Sequence, residues 1–122
     1  MKTGTVALGN ASLHLGYSGI IKPNQRGLVR EITEFFVPEN QRGNGEGSAL
    51  LREVCEEADS KAIILILIAD GVRLATYYQR FGFVIVPYND DKPILMARKP
   101  TITSLKWIGG VVKKSIARKT VL

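Results

Sequence analysis

The sequence predicts an α/β (α+β) domain: a mixed, mostly antiparallel sheet of about six strands with two helices, in the order β-β-β-α-β-α-β-β, and a basic C-terminal tail. Three observations predict it. Apolar stretches of strand character fill the first third of the chain. Two stretches of helical spacing follow, separated by a run that is apolar at every position. Glycine, proline or asparagine punctuates most boundaries.

Residues 5–9 and 12–21 read as the first two strands. Leu13, Leu15 and Tyr17 alternate with His14 and Gly16, and Asn10-Ala11 makes a tight connection. Residues 22–27, Lys-Pro-Asn-Gln-Arg-Gly, carry turn chemistry. Residues 28–37 form a third strand rich in Val, Ile, Thr and Phe, ended by Pro38, which has no N–H to give. The spacing of Leu50, Leu51, Val54, Cys55 and Ala58 predicts a helix over 46–59, with Arg52, Glu53, Glu56 and Glu57 on its other side. The apolar run 62–69 suits a central strand covered on both faces. A second helix is expected over 72–81, ended by Gly82, and two last strands over 83–87 and 93–97.

The 122 residues suit one domain, and the 45% hydrophobic content is enough to bury a core. The longest apolar run is too short to span a bilayer, and residues 1–10 show no apolar leader. Cys55 is the single cysteine, which fits a reducing compartment, and the expected location is cytoplasmic. Charge is unevenly placed. Residues 1–97 hold 10 Lys+Arg against 11 Asp+Glu, and residues 98–122 hold seven basic residues and no acid. The high isoelectric point therefore describes the tail and not the body. The expected division is 1–98 as the folded domain and 99–122 as an amphipathic basic tail, with Leu105, Ile108, Val112 and Ile116 on one helical side. Such a tail suits a protein partner or a homo-oligomer, with nucleic acid or an anionic membrane as other acceptors of its charge.

Between the third strand and the first helix lies Arg42-Gly43-Asn44-Gly45-Glu46-Gly47. Glycines at alternate positions let backbone approach a ligand closely. The N–H groups of the loop and first helical turn have no intrahelical acceptor, and the helix dipole favours an anion there. Arg42 adds a charged donor suited to phosphate. A connector with no ligand is the plain alternative, and the glycine spacing fits neither the dinucleotide fingerprint nor the Walker loop.

These residues resemble the Gcn5-related N-acetyltransferase family, which carries Gln/Arg-x-x-Gly-x-Gly/Ala after a strand. A second family element, Tyr-x-x-x-Gly-Phe, is matched by Tyr78-Gln79-Arg80-Phe81-Gly82-Phe83. The resemblance covers about residues 28–98. It implies acetyl-CoA as co-substrate, held in a gap between the strand ending at Val37 and the strand at 62–69. It also implies pantetheine contacts to backbone near Phe36 and Val37, and pyrophosphate contacts to the N–H groups of Arg42 to Gly47. Tyr78 would give a proton to the departing thiolate, and an amine would attack the thioester directly. Glu31 and Glu34 are the candidate bases, the plain alternative for each being a solvated strand charge. No metal is implied.

Departures from the family pattern mark a second reading. Glu46 stands where the family usually has an apolar residue, and it brings negative charge to the pyrophosphate's place unless it turns outward. Gly71 replaces a frequent asparagine. Only 27 residues precede the cofactor strand, too few for the usual first strand and two helices that wall the acceptor. The first reading is an acyl-CoA-dependent N-acyltransferase acting on a primary amine. The second is a catalytically silent assembly module of the same fold that binds a protein partner through residues 99–122.

Overall fold

The computed structural model describes residues 1–19, 27–87 and 93–100. Residues 101–122 of the expected basic tail and residues 20–21 of the expected second strand lie outside these residues; the second strand itself stops at Gly16, so Tyr17, Ser18 and Gly19 are not strand as expected. The elements are β1 (Gly4–Leu8), β2 (Ala11–Gly16), β3 (Val29–Phe36), α1 (Glu46–Ser60), β4 (Ile64–Ala69), α2 (Val72–Gln79), β5 (Val84–Ile85) and β6 (Ile94–Arg98). They form one six-stranded sheet in the order β1-β2-β3-β4-β6-β5. Every neighbouring pair is antiparallel except β3 and β4.

Both helices pack on one face of the sheet, because each presents a single apolar stripe. Leu50, Leu51, Val54, Cys55 and Ala58 of α1 and Ala75 and Tyr78 of α2 join one cluster with Leu13, Leu15, Ile32, Leu65, Leu67 and Met96. The opposite face carries a smaller cluster of Val29, Ile66 and Ala97, flanked by Ile64 and Val86. Coverage of β4 on both faces is therefore only partial: Ile68, on the second face near the strand's end, is 46% exposed.

Two boundaries differ from the sequence reading for a visible reason. β4 starts at Ile64 and not at residue 62, because residues 58–63 close α1. Ala62 takes a left-handed φ of 55°. Its N–H donates to the Asp59 carbonyl (3.2 Å), and the Ile63 N–H donates to the Ala58 carbonyl (2.8 Å). That pair of bonds is a Schellman cap with alanine where glycine is usual. α2 stops the same way around Gly82, φ 91°, with the Phe83 N–H donating to the Tyr78 carbonyl (3.4 Å). β5 is accordingly shorter than expected, only Val84–Ile85.

β3 decides where the sheet opens. It pairs with β4 only over Val29↔Ile64, Arg30↔Leu65 and Glu31↔Ile66. Beyond Glu31 the two parallel strands part. On its other side β3 stays with β2, but the register shifts by one residue between His14↔Thr33 and Ser12↔Phe36. Glu34 lies within that shift with φ 51°. The extra residue is a bulge, which bends a strand and increases its twist. It lies in the part of β3 that has left β4.

Candidate functional site

A cleft of about 840 Å³ opens on the helix-bearing face, walled by the end of β3, the glycine loop, the start of α1 and one side of α2. Phe35 and Val37 form one wall, and Tyr77 and Tyr78 the other. The loop joins them.

The glycines of that loop have separate physical duties. Gly43 (φ 95°) and Gly45 (φ 81°) take left-handed backbone that other residues adopt only at a cost. No atom lies within 4 Å of where a Cβ would sit at either, so their backbone is open to an incoming group. Gly47 is required for contact: a Cβ there would lie 2.8 Å from Val37 Cγ2. It lets the first turn of α1 rest against the end of β3. The first helical bond runs from the Ala49 N–H to the Gly45 carbonyl (2.9 Å). The N–H groups of Glu46, Gly47 and Ser48 precede it, at the positive end of the helix dipole.

Two loop residues differ in use from the sequence reading. The Arg42 N–H donates to the Glu39 carbonyl (3.3 Å), so it is not among the donors facing the cleft. Arg42 Nε donates to the Val37 carbonyl (3.0 Å), tying the loop back to the strand end. Glu46 does turn aside. Its Oε1 accepts from the Asn10 N–H (3.4 Å), and its carboxylate fills the space that a side chain at Gly9 would need. The departure in the glycine motif is thus a clasp between α1 and the β1–β2 turn.

Tyr78 is 8% exposed and borders the cleft. Its ring makes an edge contact with Phe83 (centroids 5.9 Å) and another with Tyr77 (5.4 Å). Burial, with a smaller effect from Tyr77, raises the phenol above its ordinary pKa, so it stays protonated at neutral pH. Tyr77 is also in the cleft: its hydroxyl and Ser48 Oγ are 2.8 Å apart. Arg73 and Leu74 complete that wall. The sequence carried a signal for these three, since residues 73, 74, 77 and 78 share one side of a helix.

Phe36, Asn44, Glu31 and Glu34 do not line the cleft. Phe36 is 54% exposed and Glu34 is exposed at the bulge. Glu31 is half-buried at the last paired position before β3 and β4 separate. Among the described residues no group of three His, Cys, Asp or Glu could hold a metal ion.

Residues 4–85 match the family model described as an acetyltransferase (GNAT) domain, and the chain belongs to that family. No curated protein matches it by sequence. Among solved structures it is similar to Escherichia coli ElaA, at 28% identity and TM-score 0.54, over 72% of this chain and 59% of that one. It is similar to an acyl-CoA N-acyltransferase from Pseudomonas aeruginosa at 26% identity and TM-score 0.54, over 72% of this chain and 58% of that one. The chain therefore spans about six-tenths of the length of these two relatives. The anti-CRISPR protein AcrVA5 matches in fold, at 18% identity and TM-score 0.58, over 80% of this chain and 98% of that one.

Proposed function

We propose that the protein is an acyl-CoA-dependent N-acyltransferase that moves an acetyl group from acetyl-CoA to a primary amine. One observation carries the reading: the open backbone of the glycine loop and the protonated phenol of Tyr78 border the same cleft, where β3 parts from β4. In this reading the N–H groups from Gly43 to Gly47 hold the pyrophosphate, with the Arg42 guanidinium beside them. The β3 backbone at Phe36 and Val37 aligns the pantetheine arm. Because Arg42 already occupies the Val37 carbonyl, binding of that arm shares or displaces its bond.

The amine nitrogen attacks the thioester carbonyl, the C–N bond forms and the C–S bond breaks. Tyr78 gives its proton to the leaving sulfur. Glu31, at the apex of the parting strands, or a water accepts the proton that the amine loses. Glu34 is the less suited base, because the bulge holds it exposed. Tyr77 and Ser48 fix the two walls to each other.

The family membership and the relative described as an acyl-CoA N-acyltransferase support the reading. The bond of Glu46 to Asn10 draws its carboxylate toward the β1–β2 turn and lessens the electrostatic objection to an anion at the loop, although Glu46 still borders the cleft. The test is calorimetry of the purified protein with acetyl-CoA, followed by thiol release on adding an amine panel of lysine peptides, polyamines and aminoglycosides. Saturable binding with amine-dependent thiol release is expected. No heat and no thermal shift with acetyl-CoA would sink the proposal.

A further inference from the structure

A second groove lies at the edge of the sheet opposite β5. Strand β1 is an edge strand: among the described residues only β2 pairs with it. Exposed edges are usually protected by charge, proline or a bulge. This one is Gly-Thr-Val-Ala-Leu, with no charge and no proline, in an unbroken five-residue register.

A groove of about 310 Å³ runs beside it, with Val6 and Ala7 of β1 as the floor and Glu53, Val54, Glu56 and Glu57 of α1 as the wall. The helix lies antiparallel to the strand. Glu46, at its start, holds Asn10 beyond the end of β1, and Glu57 and Lys61, at its end, act electrostatically on the Met1 amine. Lys61 pairs with Glu57 at 2.9 Å. Glu53 and Glu56 are exposed and have no ion-pair partner among the described residues.

The spacing selects an occupant. A strand added to β1 would send every second side chain toward α1, at intervals of about 6.7 Å. Four residues of helix rise about 6 Å. Basic residues at alternate positions of an added strand would therefore match the spacing of Glu53 and Glu57, with Glu56 between them, while its backbone satisfied the free edge. A second copy suits the edge poorly, because symmetric β1–β1 pairing brings two acidic walls side by side.

We propose that β1 is a docking edge for an extended basic segment of another polypeptide, with Lys or Arg at alternate positions, which adds as a further strand. The test uses the full chain and a labelled heptapeptide, Thr-Lys-Val-Lys-Val-Lys-Thr. Binding should be read by fluorescence anisotropy, and amide exchange at residues 5–8 should slow by about tenfold or more at saturation. Proline at the peptide's central position, or Glu in place of its three lysines, should abolish binding. Glu53→Gln with Glu56→Gln, both at exposed positions, should weaken binding by up to about tenfold.

Equal binding of the proline peptide, unchanged exchange at β1, or an affinity indifferent to the two glutamates would each overturn the proposal. So would a protein whose β1 amides are already protected in a dimer that the peptide does not disperse, since a second copy would then be the occupant.

Discussion

The two ends of α1 are built from opposite chemistry. At its start the chain uses glycines, leaves backbone open and faces a cleft. At its finish Asp59 accepts two hydrogen bonds from Arg98, Nη1 to Oδ1 (2.7 Å) and Nη2 to Oδ2 (3.0 Å), with the Asp59 and Arg98 side chains only 14% and 8% exposed. Arg98 Nε also donates to the Phe81 carbonyl (2.6 Å), so one guanidinium joins α1, β6 and the turn after α2. Burial opposes the Arg98 charge, but the hydrogen bond to Asp59 outweighs it and raises its pKa. The proposed ligand site of open backbone would need rigid supports elsewhere, and the far end of the same helix is one. Tyr78 is tied to this support, since Phe81 and Gly82, which follow its helix, lie beside Arg98.

The largest predicted effect breaks the closed end. Arg98→Ala takes the bidentate Arg98 guanidinium away from the largely buried Asp59 carboxylate and should cost about 3–5 kcal/mol, read by urea unfolding. Arg98→Met combined with Asp59→Leu should recover most of that loss, because the buried pair gives little net stability over apolar packing. If the double variant is as unstable as the single, the pair has a role beyond mutual compensation.

Next in size is a pH effect at the same end. Burial raises Cys55 from an ordinary 9.0 to about 11, against a smaller opposing influence of Arg98. Below pH 9 the thiol is protonated in both the folded and the unfolded chain. Between about pH 9 and 11 the unfolded thiol ionises first, so stability falls as pH rises through that window, by roughly 2–3 kcal/mol. Cys55→Ala should remove this part of the slope while lowering stability at every pH through the lost packing. A slope that survives the substitution would assign it to other groups.

How much of this was legible in the sequence depends on how local each feature is. The glycine motif, both helices and the sequence of elements along the chain were readable, because 3.6- and 2-residue periods and turn residues report their own surroundings; the order of strands within the sheet was not. The parting of β3 from β4 was readable only through family resemblance, since the bulge at Glu34 places an ordinary glutamate in left-handed backbone that composition does not signal. The start of β4 was set too early because Ala62 sits where a helix cap usually has glycine. The outward turn of Glu46 depends on Asn10, 36 residues away in sequence. Arg98 stands in the sequence only as one of the seven basic residues of 98–122, and no local pattern links it to Asp59, 39 residues earlier.

Backbone substitutions at the two ends should act in opposite directions. Gly45→Ala forces a side chain into φ 81° and should cost about 1–2 kcal/mol, shared between urea stability and acetyl-CoA affinity measured by calorimetry. Ala62→Gly relieves the same kind of backbone at the closed end and should add up to about 1 kcal/mol of stability. It should leave acetyl-CoA affinity unchanged. A shift in that affinity would mean that the closed end tunes the cleft as well as supporting it.

The smallest change isolates the cleft from both ends. Tyr77→Phe removes one oxygen and leaves the ring contacts with Tyr78 and Phe81 in place (centroids 5.4 and 5.3 Å). The fold should lose only about 0.5–1 kcal/mol, the ordinary worth of one partly buried hydrogen bond. The informative reading is how that loss divides. If the Ser48–Tyr77 bond only holds the walls together, both the variant's affinity for acetyl-CoA and its turnover fall slightly and in step. If the Ser48 hydroxyl is held ready for an anion at the first turn of α1, affinity falls and turnover at saturating acetyl-CoA is retained. In the second case Ser48→Ala should reproduce the effect of Tyr77→Phe, and the double variant should add nothing further.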